Sequence, residues 1–269
     1  MAAYGNLAAF YDKLTDNAEY ARRCDYITDI LSENGVSEGI LLDLACGTGN
    51  LSELFAEKGF DVIGVDISPE MLSLAMEKSY DKELNILYLC QNMAELDLYG
   101  TINCAVCMLD SINHVTDSES VRKAIKKVGL FMEKGGVFIF DVNTHYKHRQ
   151  VLANNTFVYD LDDVFCVWQN TLDEETDRVH IDIDLFSPDE SGKYDRLEES
   201  FDEVIYDREQ LEKWLKKYGF ETVGVYEEFT KENVKSDTQR AVYVCRKVKQ
   251  TNGFFKGILN SLKDRNSEF

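Results

Sequence analysis

The apolar positions in the first half of the chain fall into short runs separated by segments of helical spacing. Apolar runs bounded by turn residues are typical of buried strands, and apolar residues three and four apart are typical of helices. The pattern predicts helices at 17–34, 50–58, 69–79 and 117–133 and strands at 39–44, 61–66, 85–90, 102–109 and 137–142. Such alternation predicts a parallel sheet with helices on both faces, whose carboxyl edge is where ligands bind.

A different period begins at Thr144. Residues 157–159, 164–168, 178–186 and 197–206 alternate apolar with polar positions, as half-buried antiparallel strands do. A helix at 208–218 and strands at 221–229 and 241–248 then complete the first sheet. We therefore expect a doubly wound, mostly parallel seven-stranded α/β domain formed by residues 1–143 and 207–249, with an inserted antiparallel β subdomain at 144–206.

The C-terminal tail, residues 250–269, has apolar residues at helical spacing together with several lysines. A basic amphipathic segment of this kind can bind a membrane surface. At this length and position, a docked or frayed helix is the simpler expectation.

The first strand leads directly into a turn that contains two glycines, Asp43-Leu-Ala-Cys-Gly-Thr-Gly49. Gly47 and Gly49 allow backbone conformations closed to other residues and let a ligand approach the main chain. Asp66 ends the second strand, where its carboxylate can accept hydrogen bonds from both hydroxyls of a ribose. Together these features predict a site for a nucleotide-type cofactor.

Two nearby residues narrow the choice of cofactor. Asp43 lies within an apolar strand, where a carboxylate is costly unless it is paired or hydrogen-bonded. Ser52 stands in place of the third glycine of the dinucleotide fingerprint, which weakens the packing that cradles a pyrophosphate. We therefore expect a cofactor without a pyrophosphate. An NAD oxidoreductase is disfavoured by Ser52 and by the lack of a separate catalytic domain.

The glycine turn, together with Val65-Asp66-Ile67-Ser68, resembles the signature of class I S-adenosylmethionine-dependent methyltransferases. The resemblance continues through Gln91-Asn92-Met93, Leu109–His114 and Lys134–Asp141, so it is dense over residues 36–143 and looser elsewhere. It implies a Rossmann-like fold, S-adenosyl-L-methionine as cofactor and S-adenosyl-L-homocysteine as product. The insert falls where several small-molecule methyltransferases, such as glycine N-methyltransferases and nucleotide-sugar amine methyltransferases, carry a β-sheet over the active site.

The same resemblance implies roles for individual residues. The backbone from Ala45 to Gly49 would contact the methionine part of the cofactor, and Asp43 would organise that loop or pair with the ammonium. Asp66 would bind the ribose hydroxyls, while Ile67 and Met71 would flank the adenine. The expected cofactor-binding set is Tyr11, Asp43, Ala45, Cys46, Gly47, Gly49, Asp66, Ile67, Met71, Asn92, Met93 and Leu109.

Two members of this set rest on looser likenesses. Families of this type usually place Asp after the third strand to hold the adenine amino group, whereas this chain has Asn92, whose side-chain carbonyl can still accept from that amine. The segment Phe10-Tyr11-Asp12 resembles a Phe-x-x-Tyr-Asp segment that folds over the bound cofactor. Tyr4 and Tyr11 are therefore candidate lid residues, and a docked N-terminal arm is the alternative.

Methyl transfer is an in-line displacement, so the enzyme mainly positions the acceptor and excludes water. A proton acceptor is needed only when the acceptor group is protonated at neutral pH. His114 follows the fourth strand and is the first candidate, although it can equally be a polar residue before the next helix. The candidate catalytic residues are His114, Tyr11, Asp110 and Tyr146, with His145 beside the last. No metal is predicted.

The charge of the chain limits the class of substrate. A formal net charge of −20 argues against a nucleic-acid substrate, because a polyanion would be repelled. Residues 155–205 carry 16 acidic residues against Arg178, Lys193 and Arg196. A solvated acidic surface is one explanation. Attraction of a cationic acceptor is the other, and it places N-methylation of a small amine ahead of the alternatives, small-molecule O-methylation and non-catalytic binding of S-adenosylmethionine.

The seven cysteines, an odd number scattered through apolar segments, are expected to be reduced. Cys104 and Cys107 lie three apart on a strand and should point to opposite faces, so they cannot share a metal. No apolar run reaches the roughly 18 residues that a membrane span requires, and no signal peptide is evident. We expect a cytoplasmic protein that acts as a monomer or homodimer on a small-molecule methyl acceptor.

Overall fold

The computed structural model of the chain describes residues 7–161, 163–189 and 191–249. The helices are α1 (Ala8–Leu14), α2 (Tyr20–Glu33), α3 (Asn50–Glu57), α4 (Pro69–Asp81), α5 (Ser118–Phe131) and α6 (Arg208–Lys217). The strands are β1 (Ile40–Leu44), β2 (Asp61–Asp66), β3 (Leu87–Cys90), β4 (Ile102–Cys107), β5 (Met132–Asn143), β6 (Thr156–Leu161), β7 (Val164–Asp173), β8 (Arg178–Pro188), β9 (Tyr194–Val204), β10 (Phe220–Glu227) and β11 (Arg240–Lys247). Lys147–Leu152 form a π-helical turn. The predicted tail and Tyr4 lie outside the described residues.

The main sheet has seven strands in the order β10-β11-β5-β4-β1-β2-β3. The central strand β1 pairs in parallel with β2 and β4, so Asp43 lies opposite both Gly64 and Val106. Strand β11 runs in the direction opposite to that of the other six strands of this sheet. The expected doubly wound, mostly parallel sheet is confirmed. The order in which strands are added to the sheet reverses between the parallel strands β1 and β4. The carboxyl ends of these two strands border the crevice in which such folds bind ligands.

Strands β6 to β9 form a separate four-stranded antiparallel sheet in sequence order. Its inner face carries the apolar positions of β8, namely Val179, Ile181, Ile183 and Leu185, which are buried. The intervening residues His180 and Asp182 are exposed on the other face. The antiparallel insert between β5 and α6 is therefore present as expected from its alternating pattern.

Each face of the main sheet is covered by its own apolar core. Cys107 belongs to the core that contains α5 and α6, and Cys104 belongs to the core that contains α2 and α3. The prediction that these thiols point to opposite faces is confirmed. A third core lies beneath the insert sheet, where Leu7 and Leu14 pack against β7 and β8. Burial of each of these leucines stabilises the docking of α1 by about 1.5 to 3 kcal/mol.

Local sequence signals fix where α4 begins. Pro69 occupies the first helical position, and the side chain of Ser68 accepts a hydrogen bond from the Met71 N–H at 3.2 Å. Such a cap contributes about 1 kcal/mol. Because α4 follows β2 directly, this cap also fixes the chain immediately after Asp66.

Several boundaries differ from the sequence expectation. Strand β4 ends at Cys107 rather than 109, because Leu109 and Asp110 take left-handed backbone conformations with φ of 58° and 53°. Strand β5 begins at Met132 rather than 137, since Met132 already pairs with Ile102 ahead of a register shift. Helix α2 begins at Tyr20, after a separate 3-10 turn at 16–18. In the described part of the chain, no helix is long and apolar enough to cross a bilayer.

Candidate active site

The glycine turn after β1 is held in a conformation that favours small residues. Gly47 and Gly49 have φ of 54° and 79°, and Ala45 has φ of 60°. A Cβ atom on Gly49 would lie 2.5 Å from the Tyr88 hydroxyl and 3.0 Å from the Ala75 side chain. Gly49 is therefore needed for both its conformation and its close packing. The turn leads straight into α3, with Gly49 as the residue before the helix.

Asp66 ties the end of β2 to this turn. One carboxylate oxygen accepts from the Gly47 N–H at 2.8 Å, and the other accepts from the Ser68 N–H at 2.9 Å. Burial raises the pKa of Asp66, although the backbone donors act in the opposite direction. Each carboxylate oxygen can accept more than one hydrogen bond. Asp66 can therefore hold the turn and still accept from a ligand.

Asp43 is fully inside the protein and accepts a hydrogen bond from the Ser52 hydroxyl at 2.6 Å. Burial raises the pKa of Asp43 to about 7, against the opposing effect of the Ser52 donor. The sequence interpretation considered Ser52 only as a missing glycine. The structure shows that Ser52, near the start of α3, is the hydrogen-bond partner that makes the buried carboxylate of Asp43 on β1 tolerable.

Two adjoining cavities lie along the carboxyl edge of β1 and β2. The larger measures about 370 Å³, and the smaller, about 30 Å³, lies over the glycine turn. Both are lined by Tyr11, Ala45, Gly47, Leu109 and Ser111. The other expected cofactor residues that line one of them are Asp43, Cys46, Asp66, Ile67, Met71, Asn92 and Met93. Gly49 does not line either cavity. Its role is to allow the conformation and the close packing of the turn.

Asn92 has a structural partner of its own. Its side-chain oxygen accepts the Ala94 N–H at 2.9 Å and so caps the turn at 93–95. A carbonyl oxygen has two lone pairs, so the second remains for a ligand. Asn92 is exposed and borders the larger cavity beside Met93. The arrangement is compatible with the expected contact to an adenine.

Helix α1 is fastened over the glycine turn by Asp12. The Asp12 carboxylate accepts from the Thr48 hydroxyl at 2.5 Å, the Asn50 amide at 2.8 Å and the Lys78 ammonium at 2.8 Å. Burial acts to raise the pKa of Asp12, but the Lys78 and Thr48 donors outweigh it and lower the pKa. The same helix places the ring of Tyr11 next to Gly47. Tyr11 thereby becomes a wall of both cavities.

The loop after β4 is held by a buried carboxylate. Asp141 of β5 accepts from the Leu109 N–H at 3.0 Å and from the Asp110 N–H at 2.6 Å. Left-handed conformations at two consecutive non-glycine residues cost of order 1–3 kcal/mol each, and persist only where surrounding contacts hold them. Asp141 supplies those contacts. The result places Leu109 in the wall of both cofactor cavities.

A third cavity of about 390 Å³ lies beside Tyr11, Leu109 and His114, which also line the larger cofactor cavity. Its apolar walls include Leu14, Phe157, Tyr159, Trp168 and Ile181, from α1 and the insert sheet. Charged side chains also line it, namely Arg23, Asp110, Lys147, Glu203, Glu228 and Arg240. This cavity has the position expected for a methyl acceptor, since it meets the cofactor cavity across three shared residues.

Most of these charges are paired. Arg240 contacts Asp110 at 2.8 Å, Asp141 at 2.9 Å and Glu228 at 3.2 Å. Arg23 contacts Glu228 at 2.7 Å. Burial acts to raise the pKa of Asp110, but the charge of Arg240, followed by Lys147 and His114, lowers it well below its ordinary value. Asp110 is therefore a firmly ionised member of a network and not a proton acceptor at neutral pH.

Glu203 is a buried carboxylate of β9 that faces the cavity. It accepts from the Asn143 amide at 2.9 Å, and it lies 3.7 Å from His114 Nε2 and 3.1 Å from His148 Nε2. Asp110, His114 and Glu203 place one ligand atom each within 4.8 Å of one another, which is close enough to hold a metal ion. Both oxygens of Asp110 already accept hydrogen bonds or pair with Arg240 and Asn143. The three residues thus form part of a protein hydrogen-bond network.

The structure does not bring every catalytic candidate to the site. His114, Tyr11 and Asp110 line the acceptor cavity. Tyr146 is 37% exposed and does not line any of these three cavities. The neighbouring His145 is also exposed, and it lies 3.0 Å from Asp207. The structure therefore does not bring Tyr146 together with the other three candidates.

Attraction of a cationic acceptor would require the acidic residues of the insert to face the acceptor cavity, but several of them lie on the opposite face of the sheet. Asp182, Asp184 and Asp202 lie on the outer face of the sheet, where they pair with His180, Arg196 and Arg178. Among the described acidic residues of the insert, Glu203 lines the acceptor cavity. Most of the charge therefore belongs to a solvated surface, and the attraction of a cation rests on Glu203.

Sequence reasoning missed several residues of the acceptor cavity. Glu203 pairs with Val179 across the strands, so its position on the inner face follows from the alternation of β8 and β9. Arg240 is a charged residue at the start of an apolar strand, which is a weak signal of a buried pair. Lys147 follows β5 within a polar stretch, and nothing in the sequence separates it from an ordinary surface lysine.

The fold and the paired cavities define a class I methyltransferase architecture with an added β-sheet. A family model described as "Methyltransferase domain" matches residues 41–136. An S-adenosylmethionine-dependent methyltransferase from Clostridium acetobutylicum ATCC 824 is 36% identical in sequence, with a TM-score of 0.82 over 91% of this chain and 99% of that chain. The chain belongs to the S-adenosylmethionine-dependent methyltransferases, and S-adenosylmethionine is its cofactor.

Two further comparisons extend this result. YqeM of Bacillus subtilis (strain 168), which is named as a methyltransferase, is 32% identical over 91% of this chain and 98% of its own length. The sugar N-methyltransferase KedS8 from Streptoalloteichus sp ATCC 53650 shares the fold, with a TM-score of 0.73 at 19% identity over 90% of this chain and 92% of that chain. The similarity thus includes the insert region as well as the cofactor domain.

The residues present fit S-adenosylmethionine. A carboxylate with free lone pairs, Asp66, borders a cavity walled by Ile67 and Met71, as an adenosine requires. The adjoining small cavity is lined by the glycine turn and Asp43, and has a polar backbone suited to an amino acid end. When bound, S-adenosylmethionine supplies an electrophilic methyl group. The chain's own residues then have to position the acceptor and exclude water.

Proposed function

We propose that this methyltransferase transfers a methyl group to the nitrogen of a small amine held between the main sheet and the insert sheet. The observation that carries the proposal is Glu203. Among the described residues, the Glu203 carboxylate contacts an amide and two imidazoles, and no Lys or Arg side chain is paired with it. A buried carboxylate in that position favours a cationic ligand.

The two sheets have separate tasks in this proposal. Asp43, Asp66 and the glycine turn bind the cofactor, and the insert sheet with α1 covers the acceptor. Residues 144–206 are thus the acceptor lid, and Tyr11 is the part of α1 that touches both ligands. The walls formed by Trp168 and Phe157 keep water from the reacting atoms.

An amine is protonated at neutral pH and must lose its proton before its lone pair can attack. His114 lines both large cavities and lies near Glu203, so we assign it as the proton acceptor. Glu203 would orient the imidazole and stabilise the imidazolium that forms. Asp110 is a positioning residue, since its ionised carboxylate is committed to Arg240.

KedS8 acts on a sugar nitrogen and shares the fold, which supports an amine acceptor without establishing it. Small-molecule O-methylation is the alternative, because His114 could equally deprotonate a hydroxyl. No observation favours a specific alcohol or phenol.

The proposal is tested by the rate of transfer from labelled S-adenosylmethionine to matched pairs of amines and alcohols with the same carbon skeleton. We expect kcat/KM to be higher for the amine of each pair, and we expect Glu203→Gln to remove most of that preference. Glu198→Gln is the matched control, since Glu198 is exposed on the same strand and pairs with Arg196. A consistent preference for the alcohols would overturn the assignment of nitrogen.

A further inference from the structure

Besides the Glu203 carboxylate, the acceptor cavity is lined by the Lys147 ammonium, a charge that no side chain of the described residues neutralises by contact. Lys147 lines the cavity from the π-helical turn that follows β5. Within residues 7–161, 163–189 and 191–249, the Lys147 ammonium has no hydrogen bond and no ion pair within 4.0 Å. The two other cations of the cavity, Arg23 and Arg240, are both paired with carboxylates.

The Lys147 side chain is half-buried at the wall of this cavity. Burial lowers the pKa of Lys147, followed by the charge of Arg240, while Asp110 and Glu203 act to raise it. These groups influence the ammonium through the cavity without touching it. An ammonium has three N–H donors, and donors that face a cavity are normally satisfied by a ligand or by water.

Glu203 and Lys147 therefore form an unusual pair of opposite charges. Both line the same cavity, yet their N···O separation exceeds the 4.0 Å of an ion pair. Glu203 lies beside His114, at the end shared with the cofactor cavity. A ligand with a positive group at one position and a negative group at another could satisfy both residues at once.

We propose that the acceptor is zwitterionic, an amino acid-like molecule whose carboxylate binds the Lys147 ammonium while its amine lies toward Glu203 and His114. This inference rests on the proposed N-methylation and names its substrate class. A single ammonium suits a carboxylate, which needs one charged donor. The apolar walls, including Phe157, Tyr159 and Trp168, favour an acceptor with an apolar or aromatic body.

The test uses the complete protein saturated with S-adenosylhomocysteine and three probes that share a phenylethyl skeleton and differ in the charged groups that they carry. Calorimetry measures the binding of L-phenylalanine, phenethylamine and 3-phenylpropionate. We expect phenylalanine to bind at least about tenfold more tightly than phenethylamine, since it adds one charged hydrogen-bond pair. Lys147→Met should remove the preference for phenylalanine over phenethylamine without weakening the binding of phenethylamine.

Two further variants make the result specific. Lys147→Arg retains the positive charge and should restore part of the preference for phenylalanine. Lys126→Met is the matched control, since Lys126 is exposed on α5, and it should change nothing. Melting of each variant with S-adenosylhomocysteine verifies that the fold is intact.

The carboxylate site is rejected if phenethylamine binds as tightly as phenylalanine, if phenylalanine does not bind, or if Lys147→Met leaves the preference in place. These outcomes are separable from failure of the proposed function. If phenethylamine is methylated on nitrogen but phenylalanine is neither bound nor methylated, N-methylation stands and the assignment of Lys147 falls. If neither amine is methylated although phenylalanine binds through Lys147, the anion site stands and N-methylation loses its support.

Discussion

Asp141 and Arg240 lie on the neighbouring strands β5 and β11, and the Arg240 guanidinium donates to the Asp141 carboxylate at 2.9 Å. The same carboxylate accepts the backbone N–H groups of Leu109 and Asp110. One buried ion pair therefore connects β11 and β5 to the loop after β4, whose Leu109 lines both the cofactor and the acceptor cavity. Burial acts to lower the pKa of Arg240, but the charges of Asp110, Asp141 and Glu228 raise it.

Removing Arg240 should be among the most destabilising single changes in the chain. Arg240→Met leaves buried carboxylates without their counter-charge, and breaking a buried pair in this way costs about 3 to 5 kcal/mol. Chemical denaturation of the ligand-free protein measures the loss in free energy of unfolding. Arg196→Met is the control, because Arg196 pairs with Asp184 on the surface and should cost less than about 1 kcal/mol. Equal losses for the two variants would show that the buried network contributes little.

Asp66 should contribute both to cofactor affinity and to the order of the glycine turn. Asp66→Ala removes a charged acceptor and is expected to weaken S-adenosylhomocysteine binding by about 1 to 3 kcal/mol in calorimetry. Because the carboxylate also holds the Gly47 and Ser68 N–H groups, the ligand-free melting temperature should fall as well. Asp61→Ala at the other, exposed end of β2 provides the comparison. Unchanged affinity would remove Asp66 from the cofactor site.

The protonation of Asp43 should give the ligand-free protein a characteristic pH dependence. Burial raises the pKa of Asp43 to about 7, so the folded state keeps a proton that an unfolded carboxyl releases near pH 4. The contribution of Asp43 to stability is then fully present below about pH 4 and is lost as the pH rises through 7. Asp43→Asn should remove much of this decline and raise the free energy of unfolding at pH 8 by about 1 to 3 kcal/mol.

Chemical denaturation of Asp43→Asn and of the parent protein at several pH values between 5 and 8 tests whether the substitution raises the free energy of unfolding as the pH rises. Some decline should remain in the variant, because burial shifts the pKa of Asp66 in the same direction. A variant that is less stable than the parent protein at pH 8 would contradict the prediction. That result would mean that the charged form of Asp43 is stabilised by the surrounding turn.

His114 and Glu203 should affect turnover far more than cofactor binding. His114→Gln is expected to lower kcat by about 100-fold or more at neutral pH, the usual contribution of a proton acceptor. The loss should diminish at higher pH, because the acceptor amine then deprotonates in solution. Affinity for S-adenosylhomocysteine, measured separately, should remain nearly constant. A pH-independent loss of kcat would indicate that His114 only shapes the cavity.

The sequence was sufficient for the parts of the fold that depend on local patterns. The Ser68 cap, the glycine turn and the opposed faces of Cys104 and Cys107 all follow from the spacing of neighbouring residues. The left-handed backbone at Leu109 was not predictable, because it depends on the hydrogen bond that the Leu109 N–H donates to Asp141, which is distant in sequence. Local propensity carries no information about such a contact.

The acceptor side was harder to predict. The acidic residues of the insert were counted as a group, although the alternation of β8 already places Asp182 on the opposite face from Ile181. The two-residue alternation of these strands leaves only inward-facing acidic positions, such as that of Glu203, as candidates for contact with an acceptor. Lys147 could not have been identified, since its importance comes from a cavity assembled by α1, the main sheet and the insert.

The central claim is that this cavity presents an amine nitrogen to the cofactor's methyl group. The most direct measurement is to incubate the protein with S-adenosylmethionine carrying a 13C methyl group and a mixture of amines, amino acids and alcohols, and to follow the labelled methyl by NMR. We predict new N-methyl signals that are lost with His114→Gln. Label found only on oxygen, or no transfer by a protein that binds S-adenosylmethionine, would contradict the account.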